Sequence, residues 1–474
     1  MSSERKVDVA ILGAGTAGNY TLSQVRAAGK SFVIINGGPL GTTCARVGCV
    51  PSKLLIQAAD AFHERALLDE FGIRGGAGLK IDVPAVLARV RKIRDSFANP
   101  IAARATGELS EHFIDGYARF VAPDVVKVNG SRVRANRIVV ATGSTPVVPN
   151  PWQAFGDRVL TTDTLFEQED LPPRMAVIGL GAIGLEMGQA LSRLGIEVTG
   201  FGSREYIAGL SDPVVNQAAI ERISCDMPLY LGERAQVVEE EDGLRVSSGS
   251  HSVVVDKILV SAGRAPNIPG LGLEEIGAPM DPSGRPEYDP QTMQVGDLPI
   301  FLAGDVNGYR TIMPEAADEG RMAGCNVSHQ EIAAFRRKTS MGIVFTDPNI
   351  ACVGTPFSEL DTKAIAVGED DFSKRPRAMI MGKNYGVLRL YANRATGRLL
   401  GAAMCVTGGE HLAHLVAWSI QQGLTVIDLQ RLPYYHPVLE EGLGDAVEDL
   451  ASKLDIKAPA PANVTPMSPV ISSS

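Results

Sequence analysis

A glycine motif occurs twice in the chain, at a constant offset of 166 residues. Each copy follows a short apolar segment and leads into a helical pattern that ends at another glycine, Gly29 in the first copy and Gly195 in the second. A strand, a GxGxxG turn and a helix in this order bind the pyrophosphate of a dinucleotide. The repeat therefore predicts an α/β fold with two Rossmann-like dinucleotide-binding domains. The motif glycines are Gly13, Gly15 and Gly18 in the first copy and Gly179, Gly181 and Gly184 in the second.

Two cysteines, Cys44 and Cys49, follow the first copy closely. A thiol pair can store two electrons as a disulfide, and a dinucleotide fold can hold the redox cofactor that exchanges them. Residues five apart on a regular helix point roughly 140° apart, so bridging the sulfurs needs a distorted turn, for which Gly48 and Pro51 are suited. We expect a helix to begin near Pro51 and to direct its positive end toward Cys49. A metal pair is the alternative, but no second CxxC and no paired histidines complete a zinc site in the sequence, so we predict no metal.

Length and composition limit the partners and the compartment of the chain. Its 474 residues predict roughly three domains of about 150 residues each. The net charge of −9 is spread without long runs, which argues against a nucleic-acid partner. No apolar run approaches the ~18 residues of a membrane span, and the short N-terminal apolar segment fits a strand better than a secretory signal. The cysteine usage favours a catalytic thiol pair in a reducing cytoplasm, with Cys225, Cys325, Cys352 and Cys405 as buried small side chains.

The chain resembles the flavin-dependent pyridine nucleotide-disulfide oxidoreductases over nearly its whole length, and among them the dihydrolipoamide dehydrogenases most. The resemblance rests on residues 44–53, the two glycine motifs, residues 141–144, Gly304-Asp305, and His436-Pro437 with Glu441. It implies that the first motif holds FAD, that the second holds NAD or NADP, and that a C-terminal α+β domain forms a homodimer. It also implies an active site shared between subunits, in which the histidine of one subunit reaches the thiols of the other.

The resemblance assigns a role to each catalytic residue. His436 deprotonates a dihydrolipoyl thiol, the thiolate attacks the Cys44 sulfur, and Cys49 is released to pass two electrons to the flavin. A reduced flavin then delivers a hydride to NAD(P)+, and the same steps can run backward to reduce a disulfide. The expected catalytic residues are Cys44, Cys49, His436 as acid/base, Glu441 as its orienting partner, and Lys53 near the flavin in a pair with Glu186.

The same resemblance predicts the cofactor contacts and the domain limits. The expected FAD contacts are Gly13, Gly15, Gly18, Asn36, Thr43, Lys53, Gly116, Thr142, Gly143, Ser144 and Asp305, and the expected nucleotide contacts are Gly179, Gly181, Gly184, Ser203, Arg204 and Gly263. The expected domains are an FAD domain with the cysteines (1–150), an NAD(P) domain (151–270), a central segment completing the FAD site (271–340), a dimerisation domain (341–455), and a Pro-, Ala- and Ser-rich disordered tail (456–474).

Several positions depart from the family pattern. Asn36 stands where FAD-binding copies tend to carry Glu, although its amide can still bond a ribose hydroxyl. Gly202 stands where an NAD-specific copy carries an acid, and Ser203 and Arg204 follow it, so the sequence leaves NAD and NADP both open. Further departures, which could retune the flavin or change the disulfide accepted, are Thr42 for a second glycine, Arg46 for Asn and Pro314 for His.

Other functions stay open beside a lipoyl-bearing protein as the substrate. Ser52 after Pro51 resembles the lipoamide enzymes, but an NADPH-dependent reductase of glutathione or another small disulfide differs there by one residue. Mercury and thioredoxin reductases of this lineage relay electrons through C-terminal cysteines, and no cysteine follows Cys405. A non-enzymatic flavoprotein that kept the fold is a third hypothesis, against which the retained thiols, Lys53 and His436 argue.

Overall fold

The computed structural model describes residues 4–456 and 463–465 of the chain. The strands are β1 (Glu4–Leu12), β2 (Phe32–Asn36), β3 (Phe113–Asp115), β4 (Arg119–Ala122), β5 (Val125–Val128), β6 (Ser131–Val140), β7 (Ser144–Pro146), β8 (Val159–Leu160), β9 (Arg174–Ile178), β10 (Glu197–Gly202), β11 (Leu229–Leu231), β12 (Gln236–Glu240), β13 (Gly243–Ser248), β14 (His251–Val255), β15 (Lys257–Val260), β16 (Arg264–Pro266), β17 (Ile300–Leu302), β18 (Met341–Val344), β19 (Asn349–Gly354), β20 (Ile365–Asp371), β21 (Gly386–Asn393) and β22 (Leu399–Val406).

Helices connect and cover these strands. They are α1 (Thr16–Ala27), α2 (Thr43–Val47), α3 (Cys49–His63), α4 (Val83–Thr106), α5 (Thr162–Leu165), α6 (Ala182–Arg193), α7 (Pro213–Ile223), α8 (Met313–Ser328), α9 (Pro376–Ile380), α10 (Gly409–Gln422), α11 (Val426–Gln430) and α12 (Glu441–Ser452).

The first glycine motif lies at the middle of a mixed sheet with strand order β3-β2-β1-β6-β5-β4, to which β17 adds by pairing with β6. β1 is parallel to both β2 and β6, and α1 crosses from β1 to β2. Gly13 follows β1 with φ of 113°, and a Cβ at Gly18 would lie 2.0 Å from the Gly13 carbonyl oxygen. Glycine is therefore required at both positions, by backbone conformation at one and by close approach at the other.

The second glycine motif has the same geometry in a parallel sheet with strand order β11-β10-β9-β15-β8. Gly179 follows β9 with φ of 101°, and a Cβ at Gly184 would lie 1.9 Å from the Gly179 carbonyl oxygen. The strands β12, β13 and β14 form a small antiparallel sheet inserted between β11 and β15. The α/β class with two Rossmann-like units is thus confirmed.

Residues 341–406 form an antiparallel sheet with strand order β18-β19-β22-β21-β20, packed against α10 and α12 of the C-terminal domain. One hydrophobic cluster joins all three units, with Leu55 from α3, Leu185 from α6 and Tyr391 from β21 among its buried members. The helix α3, which begins at the second cysteine, therefore lies where the two nucleotide-binding units and the C-terminal domain meet.

Some element boundaries differ from those expected. We expected a helix to begin near Pro51, but α3 begins at Cys49 and ends at His63. The chain already breaks at Gly48, which lets the helix start two residues earlier. The prediction that the scattered cysteines are buried is right for Cys405 but wrong for Cys225, which is exposed.

Two expectations concern the ends and the surface of the chain. The tail predicted to be disordered, 456–474, lies mostly outside the described residues. Within residues 4–456 and 463–465, no helix is both long and apolar enough to cross a membrane.

Candidate active site

The two site cysteines lie on consecutive short and long helices with a sharp break between them. Cys44 is on α2, and Cys49 is the first residue of α3. Gly48 between them has φ of −124° and ψ of −116°, and a Cβ there would lie 3.0 Å from the carbonyl oxygen of Thr43. Thr42, the N-cap residue just before α2, has φ of 62°, a conformation that favours glycine, and its Oγ1 accepts a hydrogen bond from the Ala45 N–H at 3.2 Å. The distorted turn expected between the sulfurs is therefore located at Gly48.

The two thiols differ strongly in acidity. A hydrogen bond from the Cys44 thiol and the positive charge of Lys53 lower the pKa of Cys49 to about 7. The same contact and burial raise the pKa of Cys44 above the ordinary thiol range. Cys49 also begins a 15-residue helix, whose N-terminus stabilises a negative charge. At neutral pH the pair is therefore suited to hold a thiolate on Cys49 and a proton on Cys44.

Lys53 and Glu186 form an ion pair between α3 and α6. Lys53 Nζ donates to Glu186 Oε2 at 2.8 Å, and the Glu186 side chain is only 7% exposed. The other oxygen, Oε1, accepts the main-chain N–H of Phe345 at 2.9 Å. The structure thus places the two charges that were expected to pair in direct contact, one on the helix that begins at Cys49 and one on the helix of the second glycine motif.

His436 lies on the C-terminal domain, just before α12. Its Nδ1 is 2.8 Å from Glu441 Oε1, and Glu441 Oε2 accepts the Val438 N–H at 3.1 Å. The hydrogen bond with His436 holds the pKa of Glu441 below its usual range. The His436 side chain is 75% exposed, and within the described residues it makes no hydrogen bond to either site cysteine of its own chain.

The first glycine motif fits a dinucleotide. A Cβ at Gly15 would meet no atom within 4 Å among the described residues, and no side chain caps the first turn of α1 there. Main-chain N–H groups at this helix N-terminus are therefore accessible to a pyrophosphate. Asn36, expected at the ribose, uses its Oδ1 to accept the Ala14 N–H at 3.0 Å and its Nδ2 to donate to the Gly38 carbonyl at 2.6 Å. It thus also shapes the motif turn itself.

The other expected FAD positions come from the ends of strands and from α2. Ser144 Oγ donates to Asp305 Oδ2 at 2.7 Å, which joins two of them directly, and Arg264 Nε donates to the same Ser144 oxygen at 2.8 Å. Thr142 and Gly143 lie just before Ser144, the latter at φ of 72°. The remaining two are Gly116, whose N–H donates to the Asn36 carbonyl at 3.1 Å, and Thr43, which is exposed on α2.

The second glycine motif fits a nucleotide in the same way. A Cβ at Gly181 would meet open space among the described residues, no side chain caps α6 there, and Gly263 adopts φ of 117° beside similarly open space. At the end of β10, a Cβ at Gly202 would lie 2.9 Å from a Leu231 methyl group, so an acidic side chain does not fit there without rearrangement. Ser203 and Arg204, which follow, are both exposed.

Sequence reasoning missed Glu319, whose side chain is 1% exposed on α8. Its Oε2 accepts the Gly304 N–H at 2.8 Å and the Asn307 amide at 2.7 Å, and its Oε1 accepts from Arg337 at 2.7 Å. Burial raises the pKa of this carboxyl. Glu319 therefore holds the turn that contains Asp305. The signal was its position on the buried face of the helix, three residues after Ala316 and four before Ala323.

Two family models together match most of the chain. Residues 7–324 match the family model "Pyridine nucleotide-disulphide oxidoreductase", and residues 340–447 match the dimerisation domain of that family. A dihydrolipoyl dehydrogenase from Thermus scotoductus is 30% identical over 94% of this chain and 97% of its own length. A mercuric reductase from Lysinibacillus sphaericus is 27% identical over 93% of this chain and 82% of its own length.

A solved structure shares the fold over the same range. The Cu(II) complex of the HOCl-induced flavoprotein disulfide reductase RclA from Escherichia coli superposes with a TM-score of 0.81 at 22% identity, covering 94% of this chain and 99% of that one.

Proposed function

Because the chain belongs to the pyridine nucleotide-disulphide oxidoreductase family, we propose that it is a dihydrolipoyl dehydrogenase, which passes two electrons from a dihydrolipoyl dithiol to NAD(P)+. Members of this family use FAD and NAD(P)H, and their dimerisation domain indicates a homodimer. The relative from Thermus scotoductus supports the choice of dithiol, since it matches along nearly its whole length.

The unequal acidity of the thiols carries this proposal. A disulfide between Cys44 and Cys49 has one sulfur suited to leave as a thiolate, because Lys53 and the N-terminus of α3 stabilise negative charge on Cys49. The other sulfur, on Cys44, is then the one that an incoming thiolate attacks. These roles are the ones that dithiol oxidation needs.

Two thiol-disulfide exchanges carry the electron pair from the substrate to Cys49. A dihydrolipoyl thiolate attacks the Cys44 sulfur, which forms a mixed disulfide and breaks the bond to Cys49. The second dihydrolipoyl thiol attacks the lipoyl sulfur of the mixed disulfide, which closes the lipoyl disulfide and breaks its bond to Cys44, and the proton of this thiol passes to the Cys44 sulfur. FAD, when bound by the first motif, supplies the acceptor for the electron pair of Cys49 and the hydride donor for NAD(P)+. His436 takes a proton from the substrate at Nε2, because its Nδ1 is engaged by Glu441.

We assign the acid/base to His436 of the partner subunit. Its exposure and its place in the dimerisation domain support this assignment, since a side chain 75% exposed in one subunit can reach a second one. The hydrogen bond to Glu441 lies within one subunit, so it orients the His436 ring independently of the second subunit.

A second candidate is an NADPH-dependent reductase of a small disulfide. Gly202 leaves no acid at the end of β10 to repel a 2′-phosphate, and the exposed Arg204 could bind one, so these two positions favour NADPH.

An anaerobic titration tests the function. One equivalent of dihydrolipoamide is added to the flavin-loaded protein, and the long-wavelength thiolate-to-flavin band is recorded. We expect the band to form, and its absence would exclude the dehydrogenase. Titration with NADH and then NADPH identifies the nucleotide. Formation of the band with NADPH but not with dihydrolipoamide would favour the small-disulfide reductase.

A further inference from the structure

We propose that Phe345 is a positioning residue of the thiol site, which holds the Lys53–Glu186 pair in place through both its main chain and its ring. The effect on catalysis rests on the proposed function, whereas the contacts stand on geometry. Phe345 directly follows β18, the first strand of the C-terminal domain. The C-terminal domain would therefore set the charge around Cys49 within a single subunit.

The main chain of Phe345 orients Glu186. Its N–H donates to Oε1 at 2.9 Å, while Oε2 accepts from Lys53 Nζ at 2.8 Å. Each carboxylate oxygen thus has one defined partner, and the side chain is nearly buried. Rotation of the Glu186 carboxylate would break both bonds at once. The bond from Phe345 therefore fixes the position of the oxygen that accepts from Lys53.

The ring of Phe345 faces the same ammonium group. Lys53 Nζ lies 4.3 Å from the ring centroid, within the range of a cation–π contact. The ring is half-buried, and it belongs to none of the hydrophobic clusters formed by the residues that the structure describes. The ring thus faces the cation, and the Lys53 ammonium group lies between a carboxylate and an aromatic face.

The segment after Phe345 is tied to both helices of the site. The Asp347 N–H donates to Gln189 Oε1 at 2.8 Å, and the Asp347 carbonyl accepts from Arg193 Nη2 at 3.0 Å, both on α6. The Arg193 side chain is 1% exposed and also donates to Asp60 Oδ1 on α3 at 2.6 Å. Phe345 cannot shift without disturbing these bonds, so it is a fixed point for Lys53.

Lys53 lies one helical turn after Cys49, so its position controls the charge that the sulfur experiences. Without the ring, we expect the ammonium group to occupy its present position about threefold less often, which corresponds to a partly exposed cation–π contact. The fraction of Cys49 thiolate near neutral pH should fall by up to the same factor.

The test measures alkylation of Cys49 by iodoacetamide in the flavin-loaded protein, in a Cys44→Ser background that prevents disulfide formation. Mass spectrometry of the Cys49 peptide gives the rate at pH 7. We expect Phe345→Leu to slow alkylation about threefold and Phe345→Trp, which keeps an aromatic face, to leave it within about 1.5-fold. Phe357→Leu is the matched control, since that ring faces a different cation, Arg389, at 5.8 Å.

A second background separates positioning from general packing. With Lys53→Met, the change Phe345→Leu should no longer affect alkylation, and an equal loss in both backgrounds would overturn the proposal. An unchanged rate in Phe345→Leu would also overturn it. Should Phe345→Leu fail to fold, a threefold loss in Phe345→Trp contradicts the proposal and an unchanged rate supports it. A substrate other than dihydrolipoamide would refute the proposed function yet leave these rates unchanged, whereas an unreactive Cys49 in every variant would overturn both.

Discussion

The Nδ1 atom of His436 lies 2.8 Å from Oε1 of Glu441, at the first residue of α12. The carboxylate is held by a second bond from the Val438 N–H, and its pKa is lowered by the histidine contact, so it is charged at neutral pH. The ring is thereby oriented within its own subunit, and in the proposed function its Nε2 serves a substrate bound at the thiols of the second subunit.

Replacing His436 with Gln should separate the two half-reactions. Loss of the proton acceptor is expected to lower dihydrolipoamide-dependent turnover about 10²- to 10⁴-fold. Reduction of the flavin by the nicotinamide nucleotide should stay within about twofold, because that step does not use the imidazole. Stopped-flow absorbance measures both steps. His414→Gln on α10 is the control, and equal loss in both half-reactions would contradict the assigned role.

The thiolate of Cys49 should titrate near neutral pH. Because its pKa is lowered to about 7, the thiolate is present above that pH and is lost on acidification through it. The long-wavelength band of the two-electron-reduced enzyme should therefore reach half of its intensity near pH 7. Lys53→Met removes a stabilising positive charge and should raise this midpoint by about one pH unit. Lys127→Met, at an exposed position, should not move it, and a midpoint near the ordinary thiol pKa in the unmodified protein would refute the interpretation.

Arg204 should affect one nicotinamide nucleotide only. If its guanidinium binds a 2′-phosphate, Arg204→Ala should lower kcat/KM for NADPH about 10- to 100-fold and leave that for NADH within about twofold. Steady-state rates with each nucleotide decide this, with Arg132→Ala as an exposed control in the first sheet. Much faster flavin reduction by NADH than by NADPH in the unmodified protein would show that Arg204 has no such role.

Glu319→Leu should destabilise the protein and loosen its flavin. The change leaves the Gly304 N–H and the Asn307 amide without their acceptor and Arg337 without its buried partner. We expect a loss of about 3–5 kcal/mol in the free energy of unfolding, together with weaker FAD binding, since the turn of Asp305 depends on these bonds. Denaturant unfolding and flavin fluorescence measure the two effects. Asp318→Asn, on the more exposed side of α8, should change both much less.

The glycine motifs and the thiol pair could be predicted from the sequence because each depends on residues that are close together in the chain. Each GxGxxG unit spans a strand, a turn and a helix that are adjacent in the chain, and glycine is required where φ is positive at Gly13 and Gly179. The five-residue spacing of the cysteines likewise predicted a distorted turn, which lies at Gly48. The start of α3 was misplaced, because Pro51 suggested the first turn whereas the break at Gly48 already allowed a helix from Cys49.

By itself the sequence determined the two nucleotide-binding units and the thiol pair between them, since these follow from short-range spacing and backbone conformation. Only the tertiary structure decided that Phe345 contacts Lys53, that Arg193 is buried against Asp60, and that Glu319 supports the turn after β17. Most of those contacts join residues separated by more than a hundred positions, and they form only when packing brings α3, α6 and the C-terminal domain together. A local sequence pattern does not predict these contacts between units, because they depend on how the buried surfaces of different units pack together.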